Sequence, residues 1–170
     1  MENNWFKHIG FASLIIIFQI LVFNNIDISA SIIPFIYPVI IISASRLSNR
    51  SLLLMAGFFL GLFIDMFSNT GGAHAMATTL LAFCQPYLLS SMGPSDSNSD
   101  KITPSIYSLG LSNYLVFSLI LLFLHHFVVF FVEVFTFSSF GLTLLRIALS
   151  SLGSLILILL LQFIFVRKEK

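Results

Sequence analysis

The sequence predicts an all-α membrane protein that crosses the bilayer several times. Of its 170 residues, 58% are hydrophobic and only 9% are charged, and the mean hydropathy is +1.02. A soluble domain carries about 25% charged residues, so this chain has too few to cover a water-facing surface. The net charge of +1 provides no basic field for nucleic acid, and a single cysteine excludes a disulfide framework or a multi-cysteine metal site.

Six apolar segments account for most of the chain. A spanning helix needs about 20 predominantly apolar residues, so six of them leave room only for short loops. The second segment is short, and Pro34 and Pro38 interrupt its first turns; neighbouring groups must then satisfy the freed carbonyls. We treat residues 1–170 as one transmembrane domain. The predicted helices cover 8–24, 31–45, 51–67, 74–91, 107–132 and 141–166, and the polar stretch 92–105 is predicted to be a cytoplasmic loop.

The positions of the basic residues predict six crossings with both ends in the cytoplasm, because Lys and Arg are enriched in cytoplasmic loops. The loops 24–31, 68–73 and 133–140 contain neither residue. A cleaved signal peptide over the first segment is the alternative, with a small-residue site at 29–31. The basic residues that share one side in the six-span arrangement are Lys7, Arg46, Arg50, Lys101, Arg167, Lys168 and Lys170.

Three residues of the third segment, Gly57, Gly61 and Asp65, recur every four positions. This spacing puts them on one face of a helix. Two glycines on that face would let a second helix approach closely. The pattern indicates a packing seam that ends in a buried carboxylate near the outer face. The alternative is ordinary small-residue packing with Asp65 at the wet interface.

The residues after Asp65 predict a tight turn that leads into the fourth helix. Residues 68–72 (SNTGG) have the composition of such a turn, which ends in Gly71 and Gly72. His74 then lies in the first helical turn, where it could bond the turn or the Asp65 carboxylate, or stay partly exposed at the interface. A metal site would need a further ligand, and none is close in sequence, so we predict no metal.

His125 and His126 lie deep in the fifth segment. Adjacent residues on a helix point about 100° apart, so we expect at most one of the two to face the bundle. Their spacing also differs from the i, i+4 pair of a zinc-protease helix. Two interpretations of these histidines stay open. They form a polar contact between helices, or they form a proton relay, for which the segment offers no paired acid.

Arg146 is the one basic residue on the outer half of the predicted bundle. Because an unpaired charge inside a span is costly, Arg146 needs an acidic partner. The acids on that side are Asp27, Asp65 and Glu133. We expect Arg146 to pair with Asp65 or Glu133 and so to tie the sixth helix to the bundle.

No known catalytic or cofactor-binding motif occurs in the sequence. It lacks a G-x-S-x-G nucleophile elbow, an H-E-x-x-H zinc motif, a P-loop and a dinucleotide-binding glycine pattern. We therefore predict no catalytic residue and no cofactor, and an unrecognised membrane enzyme is kept as an alternative. The small residues Ser150, Ser151, Gly153 and Ser154 of the sixth segment offer a second helix-packing surface.

Two stretches of the chain resemble the rod shape-determining protein MreD family. Residues 53–67 (LLMAGFFLGLFIDMF) resemble its G-x-x-x-G-x-x-x-D helix, and residues 68–75 (SNTGGAHA) resemble its Ser- and Gly-rich turn and small-residue helix start. Residues 19–25 (QILVFNN) resemble the end of its first helix. Over the rest of the chain the likeness is one of length and hydropathy alone.

The resemblance implies a non-enzymatic subunit of the cell-elongation machinery in the bacterial inner membrane. Members of this family associate with the bitopic membrane protein MreC. Through it they link MreB filaments to the synthase RodA and a class B penicillin-binding transpeptidase. The family's fold resembles the six-helix substrate-binding subunits of energy-coupling-factor vitamin transporters, so a small-molecule-binding transporter subunit is the alternative function. The residues implied in helix packing or partner binding are Gly57, Gly61, Asp65, Gly71, Gly72 and His74.

Overall fold

All regular secondary structure that the structure describes is helical. The computed structural model describes residues 5–23, 32–45, 49–93, 102–134 and 140–165, and no strand occurs in these ranges. The all-α prediction is therefore confirmed for this part of the chain. Several predicted features lie outside it: Asn24, Asn25, Asp27, Arg46, Lys101, Arg167, Lys168 and Lys170, the loop 24–31, most of the loop 133–140, the centre of the loop 92–105, and the side chain of Lys7.

The described helices follow the predicted segments closely, with two exceptions. Gly110, at a φ of +78°, separates a short helix from the fifth segment, which was predicted to be one helix over 107–132. The second exception is the segment 31–45, in which only one short helix forms. The helices are α1 (Trp5–Phe18, continued by a π-helical turn Gln19–Phe23), α2 (Val39–Ile42), α3 (Arg50–Ser68), α4 (Ala73–Met92), α5 (Ile106–Leu109), α6 (Leu111–Val134) and α7 (Phe140–Phe165).

Three of the described helices are long and apolar enough to cross a membrane. They are Arg50–Ser68, Leu111–Val134 and Phe140–Ile164. Their outward faces carry large apolar side chains, such as Phe59 on α3 and Leu142 on α7, which are 58% and 72% exposed. A surface this apolar suits lipid rather than water. The chain is therefore a membrane-type protein, and the full set of six crossings stays a prediction.

The long helices pack in the order α3, α4, α6, α7, and the π-helical turn after α1 contacts α3. Helix α6 consequently has a packed neighbour on two sides. Its buried residues extend from Tyr114 to Phe130 along most of its length. The core of the protein lies around α4 and α6, and it is here that the polar side chains of the site meet.

The predicted second helix over 31–45 does not form. Residues 32–36 lack regular secondary structure, and only one turn, Val39–Ile42, is helical. Pro34 and Pro38 explain the difference, because proline lacks an N–H and biases the preceding residue away from helical angles. Most of residues 32–38 are nevertheless buried in the core. We call residues 32–38 the buried strap.

Candidate functional site

The turn between α3 and α4 needs left-handed backbone at three positions. Asn69 ends α3 at a φ of +55°, and Gly71 and Gly72 follow at +58° and +98°. Glycine adopts such angles without the steric cost that a Cβ brings. The two glycines predicted as site residues therefore have a backbone role, since they let the chain reverse directly into α4.

Gly57 and Gly61 form the predicted seam, and its partner is α4 of the same chain. A Cβ on Gly61 would lie 2.5 Å from Ala75 Cα, and one on Gly57 would lie 2.8 Å from the carbonyl oxygen of Thr78. Real Cβ atoms do not approach backbone this closely. Only glycine at these two positions lets the α3 and α4 backbones come into contact, which is the use of small residues in membrane helix pairs.

Asp65 is buried and caps α4. Its Oδ1 accepts hydrogen bonds from Thr70 Oγ1 at 2.5 Å and from the backbone N–H of His74 at 3.0 Å, and its Oδ2 accepts from the N–H of Ala75 at 2.8 Å. The first N–H groups of a helix have no intrahelical acceptor, and a carboxylate there also faces the positive end of the helix dipole. At 6% exposure, Asp65 is the buried carboxylate that the seam predicts rather than an interfacial one.

The His74 side chain points into the core, where it shares a tyrosine hydroxyl with His125. Tyr37 Oη lies 2.8 Å from His74 Nδ1 and 2.6 Å from His125 Nε2. A hydroxyl has one proton, so it donates to one imidazole and accepts from the other. His74 is 2% exposed and the other two are fully buried. The option of a partly exposed His74 at the interface is therefore wrong.

His126 forms a second contact, with α7. Its Nδ1 lies 2.8 Å from the Leu122 carbonyl oxygen and its Nε2 lies 3.2 Å from Ser154 Oγ. Because a carbonyl only accepts, a neutral His126 carries its proton on Nδ1 and accepts the serine proton at Nε2. The Phe35 ring stacks on the imidazole, with 5.1 Å between ring centroids.

Both adjacent histidines thus face the protein interior, and the expectation that at most one would do so is wrong. The reason lies in the position of α6, which packs against α4 on one side and α7 on another. Two side chains that point about 100° apart on α6 can then both be buried in the protein. His125 contacts the strap residue Tyr37, and His126 contacts α7 through Ser154. Each histidine therefore makes a polar contact between elements, which agrees with the interpretation of the pair as a polar contact between helices.

Side chains satisfy the backbone of the buried strap. The N–H of Ile33 donates to Ser150 Oγ at 3.1 Å and that of Phe35 to Ser154 Oγ at 2.8 Å. The N–H of Ile36 donates to Gln19 Oε1 at 2.7 Å. Non-helical backbone is tolerated at membrane depth only where protein supplies such partners. The two serines, predicted as a helix-packing surface, therefore hold a non-helical segment.

The ion pair of Arg146 lies apart from these contacts. Its Nη1 is 3.5 Å from Glu133 Oε2, and its guanidinium carbon lies 4.3 Å from the centroid of the Phe130 ring. Of the two acids considered as partners, the structure thus brings Glu133 to Arg146, which links α6 to α7. Asp65 instead accepts its hydrogen bonds from the turn and from α4.

Tyr37 is the residue that sequence reasoning missed. It lies 37 positions from His74 and 88 from His125, so no local spacing connects the three. One signal was available, because a tyrosine hydroxyl inside an apolar segment needs a hydrogen-bonding partner. The histidines of the other segments are the natural candidates for it.

The site is a cluster of hydrogen-bonded side chains in the protein core. Within the described residues, no group of three metal-ligating side chains could hold an ion. Asp65, His74, Tyr37, His125 and His126 bond one another, backbone, or neighbouring hydroxyls. Comparisons with models of protein families, with curated proteins and with solved structures found no match.

Proposed function

We propose that this chain is a membrane scaffold subunit of the bacterial cell-elongation machinery, of the MreD type. In this role it catalyses no reaction and takes no cofactor. It binds an MreC-like bitopic membrane protein, and through it helps to couple MreB filaments to peptidoglycan synthesis by RodA and a class B penicillin-binding transpeptidase.

One observation carries the proposal: the residues that resemble the MreD family together form the contact and the turn between α3 and α4. Gly57 and Gly61 let α4 approach α3, Gly71 and Gly72 form the turn, and Asp65 caps α4. The resemblance rests on these residues, and each has a role that depends on the others. This supports reading the motif as a fold-building feature of a scaffold rather than as a set of catalytic residues.

The use of the polar groups favours a scaffold over a ligand-binding transporter subunit. A binding subunit would need an outward cavity with convergent polar groups free to meet a ligand. Both oxygens of Asp65 accept bonds from protein, and His74 Nδ1 is bonded to Tyr37. These groups stabilise contacts between segments, which is what a rigid partner-binding unit requires.

The proposal includes six crossings of the inner membrane with both ends in the cytoplasm. Three described helices have the required length and composition. In the proposed arrangement, the remaining crossings come from α1 with its π-helical turn, α4 and the segment 32–45. The buried strap then crosses part of the bilayer inside the protein, where side chains satisfy its backbone. The separation of the basic residues onto one side supports this arrangement.

Depletion of the chain in its rod-shaped host tests the proposal. We expect the cells to become round as the protein is diluted by growth, and an expressed wild-type copy to restore rods. Depletion of an unrelated multi-pass membrane protein serves as the control. Cells that keep their rod shape after the chain falls below detection would contradict a role in elongation, and purified protein that carries a vitamin-sized ligand would favour the transporter alternative.

A further inference from the structure

A lateral groove of about 700 Å³ runs between α3 and α4 on the outside of the protein. Phe58 and Leu62 of α3 and Met76 and Phe83 of α4 line it, and all four are exposed. These walls present apolar surface to the bilayer. A groove of this kind suits a flexible hydrocarbon chain.

A cation lies about one helical turn beyond one end of the groove. Arg50 begins α3, one turn before the lining residue Leu54, and Tyr87 follows the lining residue Phe83 by one turn of α4. The Arg50 guanidinium carbon lies 5.0 Å from the centroid of the Tyr87 ring, and the rings of Phe83 and Tyr87 are 5.4 Å apart. The lining residue Phe83 and the Arg50 guanidinium therefore contact the same tyrosine ring, which itself lines a neighbouring groove against α6.

Arg50 has no carboxylate partner among the residues that the structure describes. The acids in those ranges are Asp65 and Glu133. Asp65 lies 15 residues farther along α3, about 22 Å away along the axis, and Glu133 pairs with Arg146. Within the described residues, the guanidinium therefore contacts the Tyr87 ring and no acidic side chain neutralises its charge.

The part of the groove near Arg50 fits one lipid chain. The lining residues run from Phe83, one turn from Tyr87, to Gly72 at the opposite end of the helix pair. Half of the hydrocarbon core of a bilayer is about 15 Å thick, the length of about ten helical residues. An acyl chain whose phosphate lies at Arg50 would therefore follow the groove past Phe83 and Phe58 and end before Gly72.

We propose that this groove binds an anionic phospholipid, with its phosphate at Arg50 and one acyl chain against Phe83 and Phe58. The guanidinium supplies the charge that distinguishes an anionic from a zwitterionic headgroup. The site is independent of the scaffold function proposed above, because it requires only that the chain lies in a membrane.

Lipid titration of the full-length chain in detergent micelles tests the charge at Arg50. The probes are phosphatidylglycerol and phosphatidylcholine with identical acyl chains, and bound lipid is counted by native mass spectrometry. One basic residue near a membrane contributes about 1 kcal/mol, so we expect about fivefold tighter binding of phosphatidylglycerol. Arg50→Gln should bring the ratio close to one and Arg50→Lys should keep part of it. Lys170→Gln removes the same charge at the C-terminus and should leave the ratio unchanged.

A second variant tests the groove itself. Thr79 lines the groove, so Thr79→Trp should fill it and weaken the binding of both lipids severalfold. Leu142→Trp places the same side chain on exposed α7 surface and is the matched control. The proposal is overturned by equal binding of the two lipids to the wild type, by an unchanged ratio in Arg50→Gln, or by full competition from chain-free glycerol phosphate. Loss of a co-purifying membrane protein in Thr79→Trp, with lipid binding intact, would overturn it in favour of a partner helix.

Discussion

Asp65 is the residue on which the joint between α3 and α4 most depends. It is the C-terminal member of the glycine seam, and it accepts three hydrogen bonds from the turn and from the first turn of α4. Two of the donors are backbone N–H groups that have no other acceptor within the helix. The start of α4 also positions His74, so the carboxylate links the seam to the buried histidines.

Asp65→Asn should destabilise the protein by about 1–3 kcal/mol. The substitution replaces one of the two accepting oxygens by an NH₂ group, which cannot accept, so one buried backbone N–H at the start of α4 loses its partner. The measurement is the thermal unfolding midpoint in detergent micelles. Asp100→Asn is the matched control, because it makes the same chemical change in the polar stretch 92–105, which is predicted to be a cytoplasmic loop. It should change the midpoint little, since surface substitutions away from specific contacts usually change stability by less than about 0.5 kcal/mol. Equal losses in the two variants would refute the capping role of Asp65.

The spacing of residues in the sequence predicted part of the contact between α3 and α4. The four-residue interval placed Gly57, Gly61 and Asp65 on one face, and the composition of residues 68–72 predicted the turn. The shared hydroxyl of Tyr37 could not be found in this way, because its partners come from distant segments. The burial of His74 depends on the same tertiary contact.

The close approach of α3 and α4 is a contact between elements that depends on two particular residues. It depends on the missing side chains of Gly57 and Gly61, opposite Ala75, Thr78 and Ala82. Without a hydrophobic force between helices in lipid, association relies on such close packing and on polar contacts. A single added methyl group in this seam must push the two backbones apart.

Gly61→Ala should destabilise the protein by about 1–3 kcal/mol through overpacking, despite the higher helix propensity of alanine. Gly10→Ala is the control, since a Cβ at Gly10 meets nothing within 4 Å. Thermal unfolding of both variants in the same detergent provides the comparison. A Gly61→Ala midpoint at or above that of Gly10→Ala would show that the two backbones are not in contact there.

At the scale of elements, hydropathy predicted the long helices well and the segment 31–45 poorly. A run of apolar residues indicates burial in lipid or protein but does not distinguish a helix from an irregular segment. Pro34 and Pro38 indicated the interruption, yet the partners of the freed backbone are the side chains of Gln19, Ser150 and Ser154. These residues lie in distant segments, so only the tertiary structure identifies them.

The described part of the molecule presents an apolar exterior, and a cluster of polar side chains lies within its largely apolar core. The histidines of α4 and α6 and Ser154 of α7 form hydrogen bonds with one another or with the strap, while His125 Nδ1 has no hydrogen-bond partner among the described residues. In the scaffold role proposed above, a partner membrane protein would bind the apolar outward faces of the helices.

Composition predicted this class of molecule directly, because 9% charged residues cannot cover a water-facing surface. The position of Arg146 further predicted an ion pair with an acid of the outer half, and the structure places Glu133 beside it. The order in which the helices pack could not be predicted, since apolar faces of similar composition do not specify their neighbours.

Co-purification from the native membrane is the measurement that tests the scaffold proposal most directly. The tagged chain is extracted in a mild detergent from the membranes of a rod-shaped bacterium that expresses it, and the bound proteins are identified by mass spectrometry. An unrelated multi-pass membrane protein with the same tag serves as the control. We expect an MreC-like bitopic protein to be retained in near-stoichiometric amount, with RodA and the transpeptidase in smaller amounts. A folded, monodisperse chain that retains no such partner above the control would contradict the account.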